Sequence, residues 1–153
     1  MRNMIRAGVS LLFTAAVFGP AALAEAPRYL RARSDLHVAH RLLVDATEPG
    51  NVARYLNRAA REVEAAIREV ERAAIADGRN LAVHPPVDTR LERRARFSRI
   101  MALLRSARED ISHAEENPRA RGWRNAAFRH IDDAMDSVRV AARELRIDRE
   151  LRY

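Results

Sequence analysis

Apolar and small residues recur along most of the chain at alternating steps of three and four. Tyr29, Ala32, Leu36, Ala39, Leu43 and Ala46 trace one such seam, and Val52, Leu56, Ala59, Val63, Ala66, Val70 and Ala73 a second. Phe97, Ile100, Leu104, Ala107, Ile111 and Ala114 make a third, and Ala127, Ile131, Ala134, Val138, Ala141 and Leu145 a fourth. That alternation holds one stripe of a helix against its neighbour, as in a coiled coil, so four amphipathic helices are predicted. Pro27, Pro49, Pro85, Pro86 and Pro118 stand between the seams, where a residue lacking an amide N–H does no harm. The boundaries follow: a helix over 28–47, a second over 51–77 stopped by Gly78, a third opened by the capping-box pattern Thr89-x-x-Glu92, and a fourth entered through Asn117-Pro118.

A shift of 68 residues carries the first seam onto the third and the second onto the fourth. Over 30–77 against 98–145, twelve of 48 positions are identical. Several are alanines, which a shared heptad phase alone would match, but the correspondences Tyr55/Trp123 and Asn57/Asn125 are not of that kind. The expected fold is therefore all-α: an antiparallel up-down-up-down four-helix bundle built from two repeated αα-hairpins. Repeat one covers about 28–77 and repeat two about 89–147, joined by a linker over 78–88 that His84-Pro85-Pro86 stiffens. Large and small seam residues alternate, so the helices interdigitate closely and leave no room for a group such as haem.

Residues 1–24 read differently. Arg2 and Arg6 precede an apolar stretch over 8–18, Gly19-Pro20 interrupt it, and Ala22-Leu23-Ala24 offers the small residues that signal peptidase requires. The apolar run is shorter than the ~20 residues needed to cross a bilayer, so the expectation is a cleaved signal peptide and a periplasmic or secreted bundle over 25–153 with no transmembrane segment.

Composition narrows the chemistry. The chain has 153 residues, no cysteine, five glycines and 32% charged residues, and all 28 basic residues are arginine. Disulfides, thiolate zinc sites, iron–sulfur clusters and cysteine nucleophiles are excluded. No Gly-rich phosphate loop, His-Glu-x-x-His, Gly-x-Ser-x-Gly or inward Glu-x-x-His pattern occurs, so no enzymatic activity and no cofactor are expected.

Two sets of residues remain. Arg90, Arg93, Arg94, Arg96 and Arg99 cluster with Glu92 as the only acid among them, and Arg119, Arg121, Arg124 and Arg129 surround Trp123. Guanidinium groups beside an aromatic suit an anionic protein, glycan or lipid headgroup. Nucleic acid is not expected, because the formal charge of +7 falls to +5 once Arg2 and Arg6 leave with the leader. Against this, pairs four apart such as Glu64 with Arg68 and Arg105 with Glu109 are ordinary stabilisers of a solvated face. The second set is His37, His40, His113 and His130. Imidazoles three apart on one helix, and Asp three residues from His113 and His130, are spacings that hold copper, nickel or zinc. All four fall beside the seam rather than on it, which equally suits solvated histidines.

The run His84-Pro85-Pro86, followed by Leu103-Leu104-Arg105-x-Ala107-Arg108-x-Asp110-Ile111, Glu116-Asn117-Pro118, Arg121-Gly122 and His130-Ile131-Asp132-x-Ala134, resembles a family of small exported bacterial helical-bundle proteins. That resemblance implies a bundle and an extracytoplasmic life, without a mechanism. A second likeness, in the repeated hairpins with Ala and His on helices, is to the small metal-binding protein family of periplasmic four-helix bundles. It implies a metal-buffering role, from which this chain departs in having five histidines rather than a dense series.

Overall fold

A computed structural model describes residues 28–76, 90–113 and 118–147. The leader over 1–24, the Gly78 stop, the His84-Pro85-Pro86 linker, Thr89, Ala114, Glu116 and Asn117 lie outside the described residues. Within them the chain is all-helical and has no strand: α1 is Arg28–Val44, α2 Gly50–Ala76, α3 Arg93–Ser112 and α4 Arg121–Glu144. Arginine, glutamate, leucine and alanine dominate these segments and are the residues that lose least on entering a helix.

The seams became the core. Every seam residue within the four helices is buried, Leu36, Val63, Leu104 and Ile131 completely, while Ala46 and Leu145 beyond their helix ends are half-buried. Each large apolar side chain so buried contributes about 1.5–3 kcal/mol. The alanines Ala59, Ala66, Ala73, Ala127, Ala134 and Ala141 are equally closed to solvent, which brings α2 and α4 close together. α1 packs on both α2 and α3, α2 packs on α4, and α4 also touches α3. Burial recurs with the 68-residue shift: the buried Ala32, Arg33, Leu36 and Ala39 correspond to buried Ile100, Met101, Leu104 and Ala107. The ends Val44 and Ala76 likewise correspond to Ser112 and Glu144.

The expected order of directions needs correction. Arg28 donates from Nη1 to the His113 carbonyl at 2.9 Å, Arg31 binds Asp110, and Glu48, just past α1, accepts from Arg93 Nε at 2.9 Å. Residue numbers rise along α1 as they fall along α3, so these two helices lie head to tail. An up-down-up-down bundle would set them in the same direction. The 16 residues between Ala76 and Arg93 permit the difference: at ~3.3 Å each when extended, they reach from one end of the ~40 Å α2 to the other.

Two starts also differ from expectation. α3 begins at Arg93, with Glu92 at the N-cap in an extended conformation and without a capping side-chain bond, so Glu92 is not the third residue of a capping box. Arg96 Nη2 donates to the Leu91 carbonyl at 3.1 Å, and half-buried Leu91 packs on the core, which together hold this stretch extended up to Glu92. In the fourth segment Pro118 to Ala120 form a turn, and the helix proper starts at Arg121.

Two glycines carry opposite expectations. Gly50 enters α2 at φ +48°, where an L side chain is strained, so Gly50→Ala is expected to cost about 1–2 kcal/mol. Gly122 lies in the first turn of α4 with nothing within 4 Å of a Cβ placed there. Gly122→Ala is expected to gain about 0.5–1 kcal/mol through lost unfolded-state freedom. Urea denaturation of the two variants would show shifts of opposite sign.

Candidate functional site

The polar residues on and around the core form three groups. Between α1 and α3, the Arg31 guanidinium donates from Nη2 to Asp110 Oδ1 at 2.7 Å and from Nε at 3.1 Å, a fork that raises the arginine's pKa further. One turn along, burial pushes the Asp35 carboxyl above the ordinary carboxylate range, and Asp110 adds to the rise. The Ser106 hydroxyl, Arg99 and Arg31 oppose it. A carboxyl whose folded pKa lies above its unfolded one costs the fold nothing below the unfolded value and penalises it once pH rises through the folded value. Asp35→Asn is therefore expected to stabilise the protein at neutral pH, with the gain vanishing in acid as the wild-type carboxyl protonates. Urea melts at pH 7 and pH 3.5 would check this, and a variant weaker at neutral pH would show that attraction to Arg31 and Arg99 prevails.

Between α1 and α2, Arg33 is buried at 6% exposure and donates from Nε to Glu71 Oε1 at 2.7 Å. His37 Nε2 lies 3.9 Å from the same oxygen. Between α2 and α4, His130 Nδ1 meets Glu62 Oε2 at 2.9 Å, and these two residues are 68 apart in sequence.

The sequence-derived arginine set is divided by the fold. Arg93 is tied to Glu48, whose side chain is almost wholly enclosed, Arg96 is tied to the Leu91 carbonyl, and Arg99 faces Asp35. Arg90 and Arg94 are exposed. Trp123 is half-buried against the core, just after the connection that leaves the far end of α3. Since α3 is ~30 Å long, Arg93 and Trp123 sit at opposite ends of the bundle and do not form one surface.

The four histidines are likewise separated. His37 and His40 are half-buried on α1, His113 is exposed at the end of α3 with Nδ1 3.0 Å from both Ser112 Oγ and the Glu109 carbonyl, and His130 is on α4. Among the described residues, no three His, Asp or Glu side chains gather as metal ligands would. No helix among them is long and apolar enough to cross a membrane.

Comparison with known proteins gives no match. No family model fits the chain, and neither a curated protein nor a solved structure is similar to it at a significant level.

Exposed arginines without a partner among the described residues lie on α2 and α4. On α2, Arg68 and Arg72 pair with Glu64 and Glu69, whereas the side chains of Arg58 and Arg61 make no hydrogen bond or ion pair among the described residues. On α4, Arg121, Arg129 and Arg143 are in the same condition. Asn57 and Asn125, four residues before Arg61 and Arg129, are also exposed, and their side-chain amides make no hydrogen bond among the described residues. In the sequence the asparagine match is evidence of duplication and Arg129 belongs to the arginines around Trp123, whereas Asn57, Arg61 and Asn125 carry no binding role. The signal available was that exposed polar identities, unlike core alanines, are not needed for packing.

Proposed function

We propose that the protein is an exported, non-catalytic docking module: a duplicated helical bundle that presents arginine to an anionic partner. The observation that carries this reading is the set of exposed α2 and α4 arginines, Arg58, Arg61, Arg121, Arg129 and Arg143, that form no ion pair among the described residues, in a bundle whose seams are filled by apolar side chains and alanine. A guanidinium held at a rigid helix surface is well suited to carboxylate, sulfate or phosphate groups.

The duplication is part of the proposal. It is supported by the matching helix ends, the matching burial and the register of the two hairpins. Arg108 binds Asp132 between α3 and α4 at 2.8 Å, and their counterparts His40 and Glu64 each lie one heptad closer to the loop than Arg33 and Glu71. We infer directions of up, down, down, up for α1 to α4. A pseudo-two-fold axis would then pass between α2 and α4 at Glu62 and His130, which explains why residues 68 apart touch.

Export is supported by the leader pattern alone, and the mature protein is expected to begin at Glu25. Calorimetric titration of that mature chain with an oligomer of a carboxylated polysaccharide is expected to give saturable binding that weakens as salt shortens the Debye length. Absence of saturable binding at low salt, to this oligomer and to anionic vesicles alike, would overturn the docking role.

A further inference from the structure

We infer that Arg124 anchors a small-molecule site at the start of α4, taking the carboxylate of an organic monoacid whose apolar body rests on Trp123 and Phe128. This goes beyond the docking role and does not depend on it.

Arg124 differs from the exposed arginines in the face it occupies. It stands three residues before Ala127 and seven before Ile131, which puts it on the core-facing seam of α4. The 68-residue shift sets Leu56 at the matching place on α2, buried to 2% exposure, so leucine satisfies the fold there. Arg124 is only half-buried, and its Nε is enclosed without a hydrogen-bond partner. Its guanidinium makes no hydrogen bond or ion pair among the described residues. The other arginines drawn against the core are answered: Arg33 by Glu71, and Arg96, whose Nε is also enclosed, by the Leu91 carbonyl at Nη2.

Two penalties attach to Arg124. An enclosed N–H without an acceptor has lost its water for nothing, and a cation in the first turn of a helix opposes the helix dipole. α4 has no acid in its first turn to offset the second. Leucine would avoid both, and no contact described within the chain compensates for them. A bound carboxylate would relieve the charge.

The surroundings fit such a group. Trp123 and Phe128 are half-buried against the core on either side of Arg124. Trp123 is seven residues before His130, on the side that meets Glu62 of α2, and Phe128 is four before Asp132, on the side that meets Arg108 of α3. α3 itself stops short of this place. With Arg108 level with Asp132 in the hairpin inferred above, the last residue of α3, Ser112, is level with Phe128, and Arg124 lies one turn farther out. The stem and Nε are the inner part of an arginine, so the part that meets solvent is the Nη1–Nη2 edge. That edge donates two parallel N–H bonds to the two oxygens of a carboxylate.

Charge and surface select the occupant. Arg108, whose guanidinium lies 5.3 Å from the centre of the Phe128 ring, is already engaged by Asp132. One inward fork is left between two aromatic side chains, which matches one negative charge on an apolar body. Inorganic phosphate carries more charge and would leave the aromatic surfaces unused.

The test titrates the full mature protein with phenylpropionate, followed by calorimetry and by the fluorescence of Trp123, the only tryptophan in the chain. Saturable binding that changes this fluorescence is expected. Phenylpropanol, which keeps the body without the charge, and acetate and phosphate, which keep charge without the body, are each expected to bind at least about 10-fold more weakly. Arg124→Leu is expected to fold, as Leu56 does in the other half, and to lose at least about 10-fold in phenylpropionate affinity. Phenylpropionate is expected to raise the thermal midpoint of the wild type and not that of this variant. Arg121→Ala, which removes an exposed guanidinium one turn earlier, is expected to change affinity less than about 3-fold. Should leucine fail to fold, Arg124→Met carries the same comparison, and failure of both would make Arg124 a structural residue and overturn the site. Absence of saturable binding, binding that Arg124→Leu leaves unchanged, or binding that Arg121→Ala weakens equally would also overturn it. Acetate or phosphate bound as tightly as phenylpropionate would overturn the apolar monoacid as the occupant.

Discussion

Phe97→Ala is expected to remove about 3–5 kcal/mol of stability and to lower the thermal midpoint by about 10–20 °C. Phe97 is completely enclosed and is the largest of the fully buried side chains among the described residues. It stands one turn inside α3, next to the Arg93–Glu48 pair, where neighbouring helices cannot collapse into the vacated space without moving that pair. Its counterpart in the other half is Tyr29, also buried, so an aromatic closes the same layer in both halves. Phe97→Leu keeps most of the volume and is expected to cost about 1–1.5 kcal/mol. Urea denaturation of both variants gives the two numbers. A loss below about 1 kcal/mol for the alanine variant would contradict the packing described for this end of the bundle.

The seams were legible because burial on a helix leaves a periodic trace, and the trace is the same whichever way the helix points. That is also why the direction of α3 was not legible. Nothing in Phe97, Ile100 and Leu104 distinguishes a helix parallel to α1 from one opposed to it; the ion pairs Arg31–Asp110 and Arg93–Glu48 do, and they join residues 79 and 45 positions apart. The Glu92 cap failed for a similar reason. A capping box is a local preference worth about 1 kcal/mol, and the half-buried Leu91, with its carbonyl held by Arg96, outweighs it. Arginine density along 90–99 suggested a binding face, but Glu48, far away in sequence, engages Arg93. Of the arginines that stay exposed without an ion pair among the described residues, Arg58 and Arg61 lie where no cluster stands out in the sequence, while Arg121 and Arg129 belong to the set around Trp123. Clustering in sequence measures how many charges are near, and only the fold reveals which of them are already neutralised.

Arg33 is the position where the proposed duplication bears most directly on stability. The matching position in the second half is Met101, completely buried, while Arg33 is buried and bound to Glu71. The fold thus accepts an unbranched apolar side chain there. Arg33→Met is expected to leave stability within about 1 kcal/mol of wild type or to raise it, since exchanging a buried ion pair for well-packed apolar groups is commonly neutral or favourable. Glu71→Ala is expected to behave in the opposite way. It takes the carboxylate from an enclosed guanidinium, and costs about 2–3 kcal/mol, less than for a fully buried partner because Glu71 is itself partly open to water. The double variant Arg33→Met with Glu71→Ala should then recover most of that loss. Failure to recover would mean that Glu71 acts mainly through His37, 3.9 Å from the same oxygen. Recovery would show that the pair is dispensable for the bundle, and that its presence in one half alone reflects a role other than stability.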